Sequence, residues 1–344
     1  MKLSNIIEIL DKRMYESRSG NPIGLANGKM GHCIYLYYIF RISRNKEFQK
    51  IAELLMEDIF EEVEKTKVFD IKNGLSGIGL GIDYLIENKY VEGNINDVLE
   101  DIDNSLFKQI CNPYKHNNND ISLQLQLIYY FTIRLKKQKE NSENEYLFRE
   151  VITDAINFIS EKIYSQFSDE PLYFHLENTS FLSLFVLNQC GEIYKDKIIR
   201  ILKDISLHIL SKIPVSHANR LYMLYAMDKV NKKIETKGWN EHIKLLARET
   251  DIEYIIENEL ANEMYFSNGL SAIYYFLSDL GDYFESNQIL KYKGLIINKI
   301  ENSPIWEKLL NDEDYLKQKN GLFSGYTGLS LLLQKHYNDE NRFN

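Results

Sequence analysis

Proline is scarce in this chain, at five residues in 344. Long helices can therefore run without the lost amide donor and fixed φ that proline imposes. Cysteine is scarcer still: Cys33, Cys111 and Cys190 are odd in number and unclustered, which argues against a disulfide framework. No apolar run approaches the roughly 18 residues of a membrane span, and no N-terminal stretch has the charged, apolar and small-residue regions of a signal peptide. Basic residues are outnumbered, 41 against 50 acidic, and the formal charge of −9 argues against nucleic acid or an anionic membrane as partner. Together these absences predict a soluble, cytoplasmic protein, and 44% hydrophobic residues suffice for a large core.

What is present is a glycine phrase that returns about every fifty residues. It reads Gly24-Leu25-Ala26-Asn27-Gly28-Lys29-Met30-Gly31, then Asn73-Gly74-Leu75-Ser76-Gly77-Ile78-Gly79. Late in the chain it reads Ser267-Asn268-Gly269-Leu270-Ser271-Ala272 and Gly321-Leu322-Phe323-Ser324-Gly325-Tyr326-Thr327-Gly328. Glycine permits positive φ and close approach of backbones, so each phrase predicts a crowded loop that opens a helix.

Two kinds of helix alternate around these phrases. Ile51, Leu54, Leu55, Ile59 and Val63 form one apolar stripe, Leu147 to Ile163 holds a second and Ile198 to Ile213 a third, as expected of an outer layer. Residues 34–40, 121–133, 181–187, 221–227, 273–277 and 329–333 are apolar nearly all round, as expected of buried inner helices. Degenerate openings near 116–122, 175–181 and 214–221 bring the count to seven. Fully patterned terminal repeats favour a closed ring over an open, capped solenoid. The expected fold is all-α, a seven-fold α/α toroid (a double-layered α/α barrel) formed by 1–344 as one domain. Several helix N-termini would converge at one mouth, which favours anionic or strongly polar ligands.

At these phrases the sequence resembles the lanthionine synthetase C-like family, whose inner-helix openings read like G-x-x-H-G-x-x-G-I. Phe69-Asp70-Ile71-Lys72-Asn73-Gly74-Leu75-Ser76-Gly77-Ile78-Gly79 is similar to the family's D-V-x-x-G-x-S-G-I-G segment. The resemblance implies a seven-fold α/α toroid, and a catalytic role for Asp70. It also implies a zinc ion that activates peptide thiols for addition to dehydrated serine or threonine. In the family the metal is held by a cysteine of the fifth repeat and a Cys-His pair of the sixth. Here the sixth repeat has Ser267-Asn268 at the pair, and the fifth reads Val215-Ser216-His217-Ala218-Asn219 without cysteine. Serine and asparagine oxygens are poor zinc ligands. The three cysteines fall at different phases of the repeat and cannot form a common site. No metal or other cofactor is therefore expected.

The candidate site follows. Asp70 reads either as the N-terminal cap of the second inner helix or as an acid, base or peptide anchor. Asn27, Asn73 and Asn268 precede a glycine in three repeats, as helix caps or left-handed turns, or as a polar ring around a pocket. His175, His217, Ser267, Asn268 and Tyr326 complete the expected peptide-contacting set. His32 and Cys33, adjacent on a helix, diverge by about 100° and read as packing. The expected partners are a peptide substrate or a partner modification enzyme, in maturation of a ribosomally made peptide. Two other readings stay open: an atypical cyclase using His175, His217 and Asp70, with Glu177 as a further ligand candidate, and a glycan-processing toroid using carboxylates such as Asp70, Asp120 and Glu177.

Overall fold

The structure is a computed structural model that describes residues 3–16, 21–111, 121–168 and 173–343. Asp120 and the opening near 116–120 lie outside them. Among the described residues every regular element is a helix. In chain order these are α1 (Leu3–Glu16), α2 (Lys29–Ser43), α3 (Lys46–Val63), α4 (Leu75–Glu87), α5 (Ile95–Ile110), α6 (Ile121–Leu135) and α7 (Glu143–Ser160). There follow α8 (Ile163–Ser168), α9 (Thr179–Cys190), α10 (Lys195–Leu210), α11 (His217–Lys233), α12 (Trp239–Arg248) and α13 (Ile252–Tyr254), which continues into a π-helix, Ile255–Glu259. The last are α14 (Leu270–Asp279), α15 (Ser286–Glu301), α16 (Ile305–Asn311), α17 (Glu313–Gln318) and α18 (Tyr326–Phe343). No helix among the described residues is long and apolar enough to cross a membrane.

Seven helices follow the glycine phrases or their degenerate counterparts: α2, α4, α6, α9, α11, α14 and α18. The expected all-round burial is found in α9, where no residue is fully exposed and Phe181, Leu184, Val186 and Leu187 are buried. The expected single stripe is found in α10, which buries Ile198, Ile201, Leu202, Ile205 and Ile209. Ile213 departs from that stripe: it lies beyond the end of α10 and is 45% exposed. In α3 burial is complete at Ala52, Leu55 and Ile59, with Ile51, Leu54 and Val63 at its half-buried margins.

The chain divides into two compact units. The first comprises Met1–Leu106, Asn262–Ser271 and Ile296–Asn344; the second comprises Phe107–Ala261 and Ala272–Leu295. In the first, α2 packs on α3, α4 and α18, and Met30 fills the space over Gly81 so closely that a Cβ there would strike its side chain. In the second, α9 packs between α6 and α11, while α7 covers α6 and α12 covers α11. Phe276 of α14 stacks on Tyr225 of α11 at a centroid distance of 4.1 Å and meets Tyr222 edge-on at 4.9 Å. Such aromatic pairs each add about 0.5–1.5 kcal/mol beyond the area they bury.

Candidate functional site

The four glycine phrases fold into one recurring loop. The first amide of each inner helix donates to the carbonyl seven residues earlier: Lys29 to Pro22 (2.8 Å), Leu75 to Val68 (3.0 Å), Leu270 to Glu263 (2.8 Å) and Tyr326 to Lys319 (2.9 Å). The second residue adds a hydroxyl to the same loop in three of them. Ser76 Oγ donates to the Phe69 carbonyl at 2.7 Å, and Ser271 and Thr327 do so to Met264 and Asn320. The amide bonds satisfy donors that a helix start leaves unpaired, and the hydroxyls tie the helix start to the loop a second time.

Glycine at the N-cap follows from this closure in all four loops, and glycine stands at the third helical position in three of them, the sixth loop having Ala272 there. Gly28 and Gly74 are extended (φ −136° and −124°), so no left-handed backbone requires them. A Cβ at Gly28, Gly74 or Gly269 would instead strike the carbonyl of Pro22, Val68 or Glu263, and one at Gly31, Gly77 or Gly328 that of Leu25, Ile71 or Leu322. The phrase therefore encodes close approach rather than positive φ.

The loops are joined through their main chains, all within the first unit. Leu25 and Asn27 amides donate to the Ile71 and Lys72 carbonyls (3.3 and 3.1 Å). Phe323 donates to the Ala26 carbonyl (2.8 Å), and Ser267 donates to that of Phe323 (3.0 Å). Segments nearly 300 residues apart thus form one continuous strip. Its half-buried side chains include Leu25, Ile71, Phe266 and Phe323, with the last two rings 6.3 Å apart. Asn73 and Asn268 supply polar groups beside them.

Asp70 does not cap α4, whose N-cap is Gly74. Its half-buried carboxylate caps the turn before the helix, accepting the Asn73 amide at 2.7 Å. The asparagines are likewise neither helix caps nor left-handed, because the glycine that follows takes the cap position and the loop closure satisfies its helix. Asn27 Oδ1 is buried with no hydrogen-bond partner. Ser267 is buried and its hydroxyl donates to Asn268 Oδ1 at 3.1 Å.

Tyr326 departs from the expected peptide contact. It is fully buried, and its hydroxyl donates to Asp11 Oδ1 (3.3 Å), while Tyr35 donates to Asp11 Oδ2 (3.1 Å). Burial pushes the Asp11 carboxyl up to about 7. The sequence carries a signal for this: Ile7, Leu10 and Asp11 share the helical spacing of one apolar face of α1. His32 is also buried, which lowers its pKa to about 4; Nδ1 lies 3.1 Å from Thr327 Oγ1. Burial raises the thiol of Cys33 far above its ordinary value, and the pair is packing, as read from the sequence.

In the second unit, the degenerate openings use ordinary side-chain caps. Asn178 caps α9 through the Ser180 amide (2.8 Å), and Ser216 caps α11 through that of Asn219 (3.1 Å). His217 is turned to its neighbours: Nδ1 accepts the Asp251 amide at 2.9 Å and the ring lies 5.3 Å from Tyr254. Arg220 binds the carbonyls of Pro214, Val215 and Glu249, which locks the same loop. His175 Nδ1 accepts the Glu177 amide at 3.3 Å. Among the described residues no group of three or more His, Cys, Asp or Glu side chains is placed to hold a metal.

Glu259, on the π-helix, carries no signal in the sequence. Its two oxygens accept the amides of His217 (2.9 Å) and Ala218 (2.7 Å), so a carboxylate of the chain itself occupies the start of α11. This position suits an anion because it meets unpaired amides and the positive end of the helix dipole. Glu259→Ala is expected to lower stability by about 1–3 kcal/mol, read as a lower urea midpoint. Glu259→Gln, which keeps one acceptor, should lose less.

The zinc that the family resemblance implies does not fit the residues found. The sixth-loop position offers one hydroxyl, already bonded to its neighbour, and one amide, and the fifth opening offers a serine used as a cap and a histidine nitrogen used by Asp251.

Neither a protein family nor a curated protein matches the sequence. Among solved structures, one titled "Nisin cyclase" is similar in fold, with a TM-score of 0.66 over 97% of this chain and 93% of that one, at 13% sequence identity. That likeness, with helices as the regular elements among the described residues, shows the fold: an all-α, α/α toroid similar to that structure.

Proposed function

We propose that this chain is a divergent lanthionine synthetase C-like protein that binds a ribosomally made precursor peptide along the strip of joined loops, without zinc-dependent thioether formation. One observation carries the reading. Four loops are bound main chain to main chain, and the strip they form sets half-buried Phe266 and Phe323 beside Ser267 and Asn268. Aromatic rings flanked by amide groups suit an extended peptide, which offers both apolar side chains and unpaired amides. Asn73 and Asn268 hydrogen-bond peptide groups. Asp70 holds the turn that presents Asn73, and its carboxylate anchors the peptide rather than transferring a proton.

The test joins metal analysis to binding. Purified protein should contain no stoichiometric zinc, yet bind a fluorescent precursor-type peptide rich in Ser, Thr and Cys, with no loss on adding a chelator. Phe266→Ala and Phe323→Ala should each weaken that binding about tenfold. A tightly held zinc in each chain, or binding that a chelator abolishes, would overturn the proposal.

A further inference from the structure

Wholly within the second unit lies a groove of about 730 Å³. Tyr254, Phe284 and Tyr292 form its aromatic walls, and Ile252 is buried beneath them. Three carboxylates line it, on Asp251, Glu253 and Glu257, against the single guanidinium of Arg248. One wall runs through the π-helix, whose Glu259 grips the start of α11 with both oxygens. That wall is therefore tied to a buried helix and preorganised, which lowers the ordering cost of binding.

The chain itself sets a cation at the edge of the groove. Lys291 sits beside it with its ammonium 2.8 Å from Glu253 Oε2 and 5.8 Å from the centre of the Tyr292 ring. A carboxylate next to an aromatic face is a recognition pair for a cation. The Glu253 carboxylate also raises the pKa of Lys291, so the pair favours the charged amine. Both Lys291 and Glu253 are more than half exposed, so this cation is held in water and is exchangeable. A net charge of −9 over the whole chain favours basic partners in general.

We propose that this groove is a second peptide-binding site, taking a segment with a lysine or arginine side chain that replaces Lys291 between Glu253 and Tyr292. It shares with the loop-strip reading only the chemical class of the partner. The segment backbone runs against Tyr254 and Phe284, and its cation meets the carboxylates. Lys291 is the internal competitor, which gives a signature that a structural lysine would lack.

The probe is a fluorescent, amidated peptide of alternating glycine and lysine, titrated into the full chain and read by anisotropy. Wild type should bind it saturably, and the same peptide with glutamate for lysine should not bind. Lys291→Ala should bind about threefold or more tightly, because the guest no longer displaces a resident cation. Glu253→Gln and Tyr292→Leu should each bind at least about fivefold more weakly, from the loss of a charge-assisted contact and of a cation–π contact. Lys12→Ala removes the same charge from the first unit and should leave binding unchanged, which separates the site from general attraction to an acidic protein. The unlabelled Ser-, Thr- and Cys-rich peptide should not displace this probe, so failure here and failure at the loop strip are distinguishable. No saturable binding, equal binding of the glutamate peptide, or equal gains in Lys291→Ala and Lys12→Ala would overturn the proposal.

Discussion

Gly77→Ala is expected to destabilise the protein by about 3 kcal/mol, among the largest effects of any single methyl addition to this chain. Gly77 is the third residue of α4, and its added Cβ would strike the Ile71 carbonyl oxygen and come to 2.9 Å from the Leu25 amide nitrogen. Both neighbours are main-chain atoms, held in place because Leu25 donates to that same Ile71 carbonyl. Neither can swing aside as a side chain would. The substitution must open the loop of the second repeat, part its bond to the first, or both. Ala272 is the natural control, because it occupies the equivalent position of the sixth repeat. Ala272→Gly should cost no more than about 1 kcal/mol, the ordinary penalty of glycine inside a helix. Urea unfolding of the two variants checks the contrast. A Gly77→Ala protein with the wild-type midpoint would mean that the loop is not closed as described.

A second large effect concerns pH. Asp11 lies between the hydroxyls of Tyr35 and Tyr326, with Glu8 as a nearby like charge, and its pKa is raised from 3.8 to about 7 chiefly by burial. The native state therefore holds this proton more tightly than the unfolded chain does. Its contribution to stability is full below about pH 4 and is lost progressively as pH rises to about 7. At about 1.4 kcal/mol per pH unit, the loss across that window is roughly 4 kcal/mol. Asp11→Asn keeps the shape and removes the titration. It should flatten this part of the stability profile, and make the variant more stable than wild type at pH 8 by about 2–4 kcal/mol. Urea midpoints of both proteins from pH 5 to pH 8 give the comparison. Parallel profiles would show that Asp11 is not the buried proton carrier.

Much of the fold was legible because it is written in short-range periodicity. Inner-helix openings were expected near 175–181 and 214–221, and α9 and α11 begin at Thr179 and His217. The phrases that open α2, α4, α14 and α18 were visible as repeats, and the close approach at their N-cap glycines involves only the loop that each helix closes, whereas Gly24 and Gly321 are crowded by loops distant in sequence. The candidate site was legible in its location and less so in its roles. Asp70 and Asn73 do lie in one turn, but the carboxylate serves that turn and not the helix start assigned to it.

The roles that went unread depend on partners distant in sequence. Tyr326 stands in a glycine phrase and looked like a site residue, yet it is buried against Asp11, 315 positions away. His217 opens an inner helix and looked like a ligand, yet its nitrogen is taken by Asp251, 34 positions on. Glu259 has no local pattern at all and caps a helix 41 residues before it. By itself, the sequence determined the class of fold, the starts of most inner helices, the crowding at the glycine loops and the lack of sulfur and imidazole ligands at the sixth loop. The tertiary structure decided which polar groups are already spent on one another. The physical reason is the range of each effect. Helix periodicity and loop closure act within a few residues, whereas a buried hydrogen bond is satisfied by whichever group the packed chain brings to it.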